Sequence, residues 1–216
     1  GDKAVINGSG TTTPVNTVGS FWWSKNASVA RAETYSDSGA ETDVLFTNAT
    51  QTTPDANFTV NGVTGKFRTL SKDEWKFILG TNGIKGTEYR NVDKRFAKAE
   101  VNGVNGLLVF PDVFEWNTLM GTTEPGYNVK NAPFSDNVYT LANFSAMETA
   151  GVVFLPAAGY RYGSSISEAG DFGYLWSSTP DDSDNTYYIC FDDYGVSQSS
   201  CSSRFYGRSV RLVCEN

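Results

Sequence analysis

The chain has 216 residues, 19% of them charged and 14% aromatic, with five Trp, no His and a formal net charge of −7. A chain of that length buries about 70% of its surface, enough for a sizeable core without disulfide or metal staples. The acidic balance argues against nucleic acid, whose binding rests on Lys and Arg neutralising phosphates, and the lack of His removes the commonest zinc ligand and the usual general base near pH 7.

Residues 1–20 are polar, with Gly and Thr prominent, and read as an N-terminal linker or leading strand. Phe21-Trp22-Trp23 opens the packed region, which is expected to run as a single domain over residues 21–216. Thr34 to Thr42 reads as loop and Asp43-Val44-Leu45-Phe46 as a short apolar run. Val60-Asn61-Gly62-Val63 and Val101-Asn102-Gly103-Val104 predict two hairpins, because Asn-Gly fills both turn positions that need φ > 0. Ser71-Lys72-Asp73-Glu74 is a capping box, followed by Trp75, Ile78 and Leu79 on one helical face and Gly80 as a stop. Ser145-Ala146-Met147-Glu148 predicts a second, short helix ended by Gly151, and Val152 to Pro156 then reads as a buried strand. Short strands are expected at Leu175 to Ser178, Thr186 to Asp192 and Ser209 to Cys214. Two helices among many short strands predict an α+β fold. No apolar run approaches the ~18 residues of a membrane helix, so direct membrane insertion is not expected.

Asp181 to Tyr206, DDSDNTYYICFDDYGVSQSSCSSRFY, stands apart from its surroundings. Asp, Ser and Tyr fill more than half of it, and it holds no Lys, Glu, Met, Trp, Ala, Leu or Pro. Tyr gives broad, stiff contact area and Ser gives adaptable hydrogen bonding, the combination used by antibody loops. Along Thr186 to Asp192 the apolar Tyr187, Ile189 and Phe191 alternate with the mixed set Tyr188, Cys190 and Asp192. The first set suits a core face; the second suits positions that packing does not dictate. Three Cys, an odd number, allow at most one bridge, and Cys190 and Cys201 read as incidental occupants of variable sites.

Phe67-Arg68-Thr69-Leu70-Ser71-Lys72-Asp73-Glu74-Trp75, Val101 to Gly106, Val153 to Arg161, Leu175-Trp176-Ser177-Ser178 and Ser209 to Val213, in this order, resemble the fibrobacter-type major paralogous domain of bacterial surface and secreted proteins. The resemblance covers about residue 40 to the carboxyl end. It implies a C-type-lectin-like fold related to formylglycine-generating enzymes, with paired terminal strands, two helices flanking a small sheet, and long loops presenting a ligand surface. It also implies an extracellular or cell-surface location, although the chain shows no signal-peptide pattern and Gly1 reads as a trimming remnant.

The family is similar in turn to the variable proteins of diversity-generating retroelements, which randomise the adenines of Asn codons. Such codons reach Asp, Ser, Tyr, Cys, Phe, Gly and others but never Lys, Glu, Gln, Met or Trp, and residues 181–206 keep to that alphabet except at Gln198, read as a fixed position. On this resemblance the ligand-binding positions are Tyr188, Cys190, Asp192, Asp193, Tyr194, Ser197, Ser199, Ser200, Cys201, Ser202, Ser203 and Tyr206, with Asp181, Asp182, Asp184 and Asn185 as weaker additions. Trp176, Ile189, Phe191, Val196, Arg204, Val210 and Leu212 are the implied framework. The expected function is non-enzymatic recognition of a protein or glycan, with no cofactor and no metal. A structural surface or pilus module and, further off, a carbohydrate-active or formylglycine-generating-type enzyme are the alternatives.

Catalytic constellations are scarce. Without His no Ser/His/Asp or Cys/His arrangement is available. The adjacent carboxylates Asp181/Asp182 and Asp192/Asp193 read as solvated loop charge rather than as a pair facing each other across a cleft. No EF-hand loop or Glu-Pro-Asn sugar motif occurs, and Gly159-Tyr160-Arg161-Tyr162-Gly163 lacks the Lys-Ser/Thr of a phosphate loop. Arg208 and Arg211 read as braces of the last strand.

Overall fold

A computed structural model of the chain describes residues 59–60, 63–64, 66–80, 90, 92–116, 124–162, 165–182, 185–203 and 206–214. The readings made for residues 1–46, the turn pair Asn61-Gly62, and Ser183, Asp184 and Arg204 lie outside the described residues.

Local sequence signals set the elements around the site. β1 (Thr59–Val60) and β2 (Val63–Thr64) pair antiparallel with Val60 opposite Val63. β3 (Phe67–Thr69) leads into α1 (Lys72–Leu79), whose capping box closes as expected. The Ser71 hydroxyl accepts from the Glu74 amide at 3.2 Å, and the Glu74 carboxylate accepts from the Ser71 amide at 2.8 Å. That carboxylate also takes a two-pronged bond from Arg68 at 2.7 and 2.8 Å, tying β3 to the first helical turn. β4 (Phe96–Val101) and β5 (Val104–Val109) form the second predicted hairpin, with Asn102 at φ 50° and Gly103 at φ 79°.

The second helix corrects the sequence reading. α2 runs Leu141–Thr149, starting five residues earlier than predicted, and Ser145 lies inside it. Its cap is Thr140, whose hydroxyl accepts from the Asn143 amide at 3.2 Å while the Asn143 side chain accepts from the Thr140 amide at 3.0 Å. Asn143 therefore takes the place of the Glu or Gln that a capping box usually carries, which hid the true start. The stop is where expected: Gly151 adopts φ 93° and Val152 donates back to the Met147 carbonyl at 3.0 Å.

β4 and β5 sit at the centre of a four-stranded sheet ordered β6-β4-β5-β7, where β6 is Val138–Tyr139 and β7 is Val153–Pro156. β7 is an edge strand buried mainly at Leu155. Both faces of the sheet are covered, so side chains of both parities are apolar. Phe96, Leu107 and Leu155 join Leu70, Trp75 and Leu79 in one core, while Ala97, Ala99, Leu108 and Phe110 join Trp116, Tyr139 and Met147 in another. A small hairpin, β8 (Tyr160–Tyr162) and β9 (Ser165–Ser167), follows.

β10 (Gly173–Pro180), β11 (Asn185–Phe191) and β12 (Val196–Ser203) form an antiparallel meander in the order β10-β11-β12. Its inner face places Leu175, Ile189, Phe191 and Val196 in the first core, against α1. Gly173 is required beside Phe191: a Cβ there would lie 2.0 Å from the ring. The chain then runs along the free side of β10, with a parallel bridge between Leu175 and Ser209, and ends in β13 (Leu212–Cys214), antiparallel to β3. The strand expected from Ser209 is thus regular only from Leu212.

The two sheets are joined by a buried ammonium. Lys98, on β4, is 1% exposed, and its Nζ donates to the carbonyls of Lys130 at 2.5 Å, Asp192 at 2.7 Å and Asp193 at 2.8 Å. All three N–H donors of the ammonium are used. Burial lowers its pKa, and the charges of Asp192, Asp193 and Asp136 counter that. Lys98→Met should leave these three carbonyls without a donor and cost at least about 3 kcal/mol, since each buried orphan costs roughly 1–3 kcal/mol. Urea unfolding measures this; a loss under about 1 kcal/mol rejects the pinning role.

Candidate functional site

The outer face of the meander is laid out in rows. Tyr174, Cys190 and Ser197 form one row across β10, β11 and β12; Trp176, Tyr188 and Ser200 form the next; Thr186 and Ser202 lie beyond. Regular alternation would put Ser197, Ser199 and Cys201 on one face, but β12 carries a bulge. Gln198 and Ser199 both stand opposite Ile189, so Ser197 and Ser200 turn to the same face although three apart. Their hydroxyls meet at 2.8 Å, and Ser200 Oγ lies 3.7 Å from Cys190 Sγ.

Of the twelve positions expected to bind, Tyr188, Cys190, Ser197, Ser200 and Ser202 share this face, and Tyr206 joins them from the segment after β12. Ser199 is exposed at the bulge. Cys201, opposite Tyr187, and Ser203, opposite Asn185, belong to the other parity. Asp192, Asp193 and Tyr194 form the β11–β12 turn, whereas Asp181 and Asp182 lie at the opposite end of the meander.

The turn aspartates have duties within the fold. Asp192 Oδ1 accepts from the amides of Tyr194 at 2.8 Å and Gly195 at 2.6 Å, and Asp193 Oδ1 accepts from the Phe134 amide at 2.9 Å. Only Tyr194, 84% exposed, stands clear of the protein there. Tyr187 faces the core side as expected, yet it sits half-buried at the edge with Lys72 Nζ 4.1 Å from its ring centre.

The centre of the outer face is Arg208, 6% exposed, which the sequence marked as a brace. Main-chain bonds place it: Trp176 donates to the Ser209 carbonyl at 3.0 Å and Ser209 to the Tyr174 carbonyl at 3.2 Å, holding residues 207–209 against β10. Its Cζ lies 3.7 Å from the ring centre of Tyr188, 4.6 Å from Tyr174, 4.8 Å from Trp176, 5.4 Å from Tyr206 and 6.0 Å from Tyr160. Aromatic faces attract a guanidinium through their quadrupoles. Burial pushes the Arg208 pKa down, with Tyr188, Tyr174 and Cys190 acting against it, and an arginine keeps its proton regardless.

Further out, the Tyr174 hydroxyl donates to Glu168 Oε2 at 2.5 Å, from a residue held at φ 59°. Burial and then Glu168 raise the Tyr174 pKa, so the phenol stays protonated. Arg211, in contrast to Arg208, is exposed. Tyr160, Tyr174 and Arg208 were absent from the expected site; the only trace of them in sequence is Trp176, whose parity opposes that of the core residue Leu175.

No family model, curated protein or solved structure matches this chain. Its fold and this face define a class: an α+β protein, with two helices and several short antiparallel strands among the described residues, carrying a serine- and tyrosine-rich sheet face built over a buried arginine. Among the described residues no helix is long and apolar enough to cross a membrane.

The thiols differ sharply in setting. Cys201 and Cys214 are exposed, while Cys190 is half-buried, and burial raises its pKa against the opposing pull of Ser200 and Arg208. With an aromatic disulfide reagent at pH 8, the exposed Cys201 and Cys214 should react at least about tenfold faster than half-buried Cys190, access outweighing the raised pKa that the bond to Asp181 gives Cys201. Cys190→Ser should delete the slow phase alone; three equal rates would show that the outer face is open to solvent down to β11.

Proposed function

We propose that this chain is a non-enzymatic recognition domain of an exported bacterial protein, C-type-lectin-like in fold and akin to the variable proteins of diversity-generating retroelements. It binds a protein or glycan through the outer face of β10–β12 and the β11–β12 turn. The observation that carries this reading is the division of labour in the meander. One face is locked into the core by Leu175, Ile189, Phe191 and Val196, and the other gathers five of the expected positions plus Tyr206. The pairing of β3 with β13 and the two short helices beside small sheets support the fold part of the proposal.

Serine is the reason the face can change its partner. Its side chain is too small to make packing demands on its neighbours, so β12 keeps its strand through main-chain pairing while its surface stays open to substitution. Tyr194 supplies contact area at the rim. Burying about 150 Å² of a tyrosine contributes up to roughly 4 kcal/mol at 25 cal/mol per Å². Tyr188 has a different part: it lies on Arg208 and forms the floor rather than a free position.

A library randomised at Cys190, Tyr194, Ser197 and Ser200 and displayed on yeast tests the reading. Most members should keep wild-type expression and protease resistance, and panning against an arbitrary folded protein should yield binders that depend on the randomised residues. If most members lose protease resistance, the surface is part of the fold and the recognition reading fails. Tyr194→Ala alone should shift the melting temperature by less than about 2 °C, as for an exposed side chain without partners in the core.

A further inference from the structure

Arg208 is buried, yet its hydrogen-bonding capacity is mostly unspent. Nη2 donates to Ser202 Oγ at 2.7 Å, while Nε and Nη1 have no acceptor among the described residues. The Nε1 donor of Trp176, in the same cluster, is also buried without an acceptor. Of the seven buried side-chain polar atoms left without a partner among the described residues, three therefore belong to this one spot, and all three are donors. The ion pairs formed by described residues, Arg68–Glu74, Arg90–Asp112 and Lys94–Glu124, leave Arg208 out.

A buried charge without a counter-charge is costly unless paired and hydrogen-bonded. Aromatic faces offset part of that cost, but they accept no hydrogen bond of ordinary strength. What the spot lacks is an anion that accepts without donating. An ionised carboxylate is such a group, and it matches the guanidinium edge with two parallel bonds. Each edge of the guanidinium pairs Nη2 with either Nε or Nη1. Nη2 has two protons and gives one to Ser202, so one edge remains with both donors available.

From this geometry, and resting on the reading of the face as the binding surface, we propose that the ligand enters with a carboxylate that pairs with Arg208 and Trp176. The Tyr206 ring covers the guanidinium on one side. Tyr206 is half-buried, lies 5.4 Å from the Arg208 Cζ, and directly precedes the Gly207 bridge. Tyr162, 41% exposed and 5.5 Å from the Tyr206 ring, extends the aromatic surface outward for the body of the ligand. The carboxylate can come from an acidic sugar or from a peptide; the bonds to Arg208 are the same.

The test titrates the whole chain with sodium glucuronate and with hippurate, each beside its neutral amide, and follows tryptophan fluorescence and heat. At least one carboxylate should bind saturably, its amide at least tenfold more weakly. Arg208→Gln should remove the binding and Arg208→Lys should retain a weakened form, with circular dichroism showing both variants folded. Preference for glucuronate identifies a glycan source, and preference for hippurate a peptide. The proposal is overturned if neither carboxylate saturates, if amides bind equally well, or if Arg208→Gln binds as the wild type does. Should Arg208→Gln fail to fold, the carboxylate-against-amide ratio on the wild type decides alone. Failure here beside a display library that yields binders removes the carboxylate site only; failure of both removes the recognition reading.

Discussion

The arrangement of the two sheets rests on one ammonium group. Lys98 leaves the four-stranded sheet at β4 and meets three main-chain carbonyls, two of them in the turn that joins β11 to β12. Main-chain carbonyls at a turn normally face water, so a buried cation has to replace it. The geometry admits few alternatives, because three donors meet three acceptors and a shift of the turn by one residue breaks two bonds together. Asp193 adds a second tie by accepting from the Phe134 amide beside the same loop. The meander is thereby fixed at its turn by polar bonds and along its inner face by Ile189, Phe191 and Val196. Its outer face buries Trp176 and Thr186 and leaves Tyr188, Cys190, Ser197, Ser200 and Ser202 half-buried around Arg208.

The two buried cations make an instructive pair. Lys98 and Arg208 are 1% and 6% exposed, and neither has a carboxylate at salt-bridge distance among the described residues. Lys98 has its three donors matched by three acceptors. Arg208 bonds Ser202, has the Tyr188 side chain against it, and leaves Nε and Nη1 among aromatic rings without an acceptor. The same burial thus gives a saturated centre on the inner side of the meander and an unsaturated one on the outer side. A saturated centre holds a fold together; an unsaturated one keeps affinity in reserve for an acceptor from outside.

Much of the frame was legible in the sequence for local reasons. The Ser71 capping box, the Asn102-Gly103 turn and the Gly151 stop each act within a few residues, so their chemistry can be read without knowing the fold. The Thr140 cap escaped because an amide stood where a carboxylate is usual. Gln198 was marked by its residue type alone, and its buried amide donates to the Gly80 carbonyl at the end of α1, at 2.5 Å. β12 itself was missed, because a strand of serines carries no hydrophobic period to detect. The aspartates at 192 and 193 read as free surface charge, and only the folded chain reveals the amides they bind.

Arg208 shows where sequence reasoning stops. Parity along a strand tells which residues share a face, and that works for β11, where Ile189 and Phe191 face in and Tyr188 and Cys190 face out. It fails on β12, because the bulge opposite Ile189 exchanges the faces partway along the strand. A reader counting by twos from Ser197 reaches Ser199 and Cys201, whereas the chain presents Ser200 and Ser202 beside Tyr188 and Thr186. It is this exchange that brings Ser202 to Arg208 and Ser200 to Cys190. Were the same residues paired without a bulge, Ser199 and Cys201 would stand opposite Tyr188 and Thr186, and Ser200 and Ser202 would turn to the inner face. The polar rim of the candidate site is therefore set by where the bulge falls in the β-ladder, a feature that no side-chain type announces.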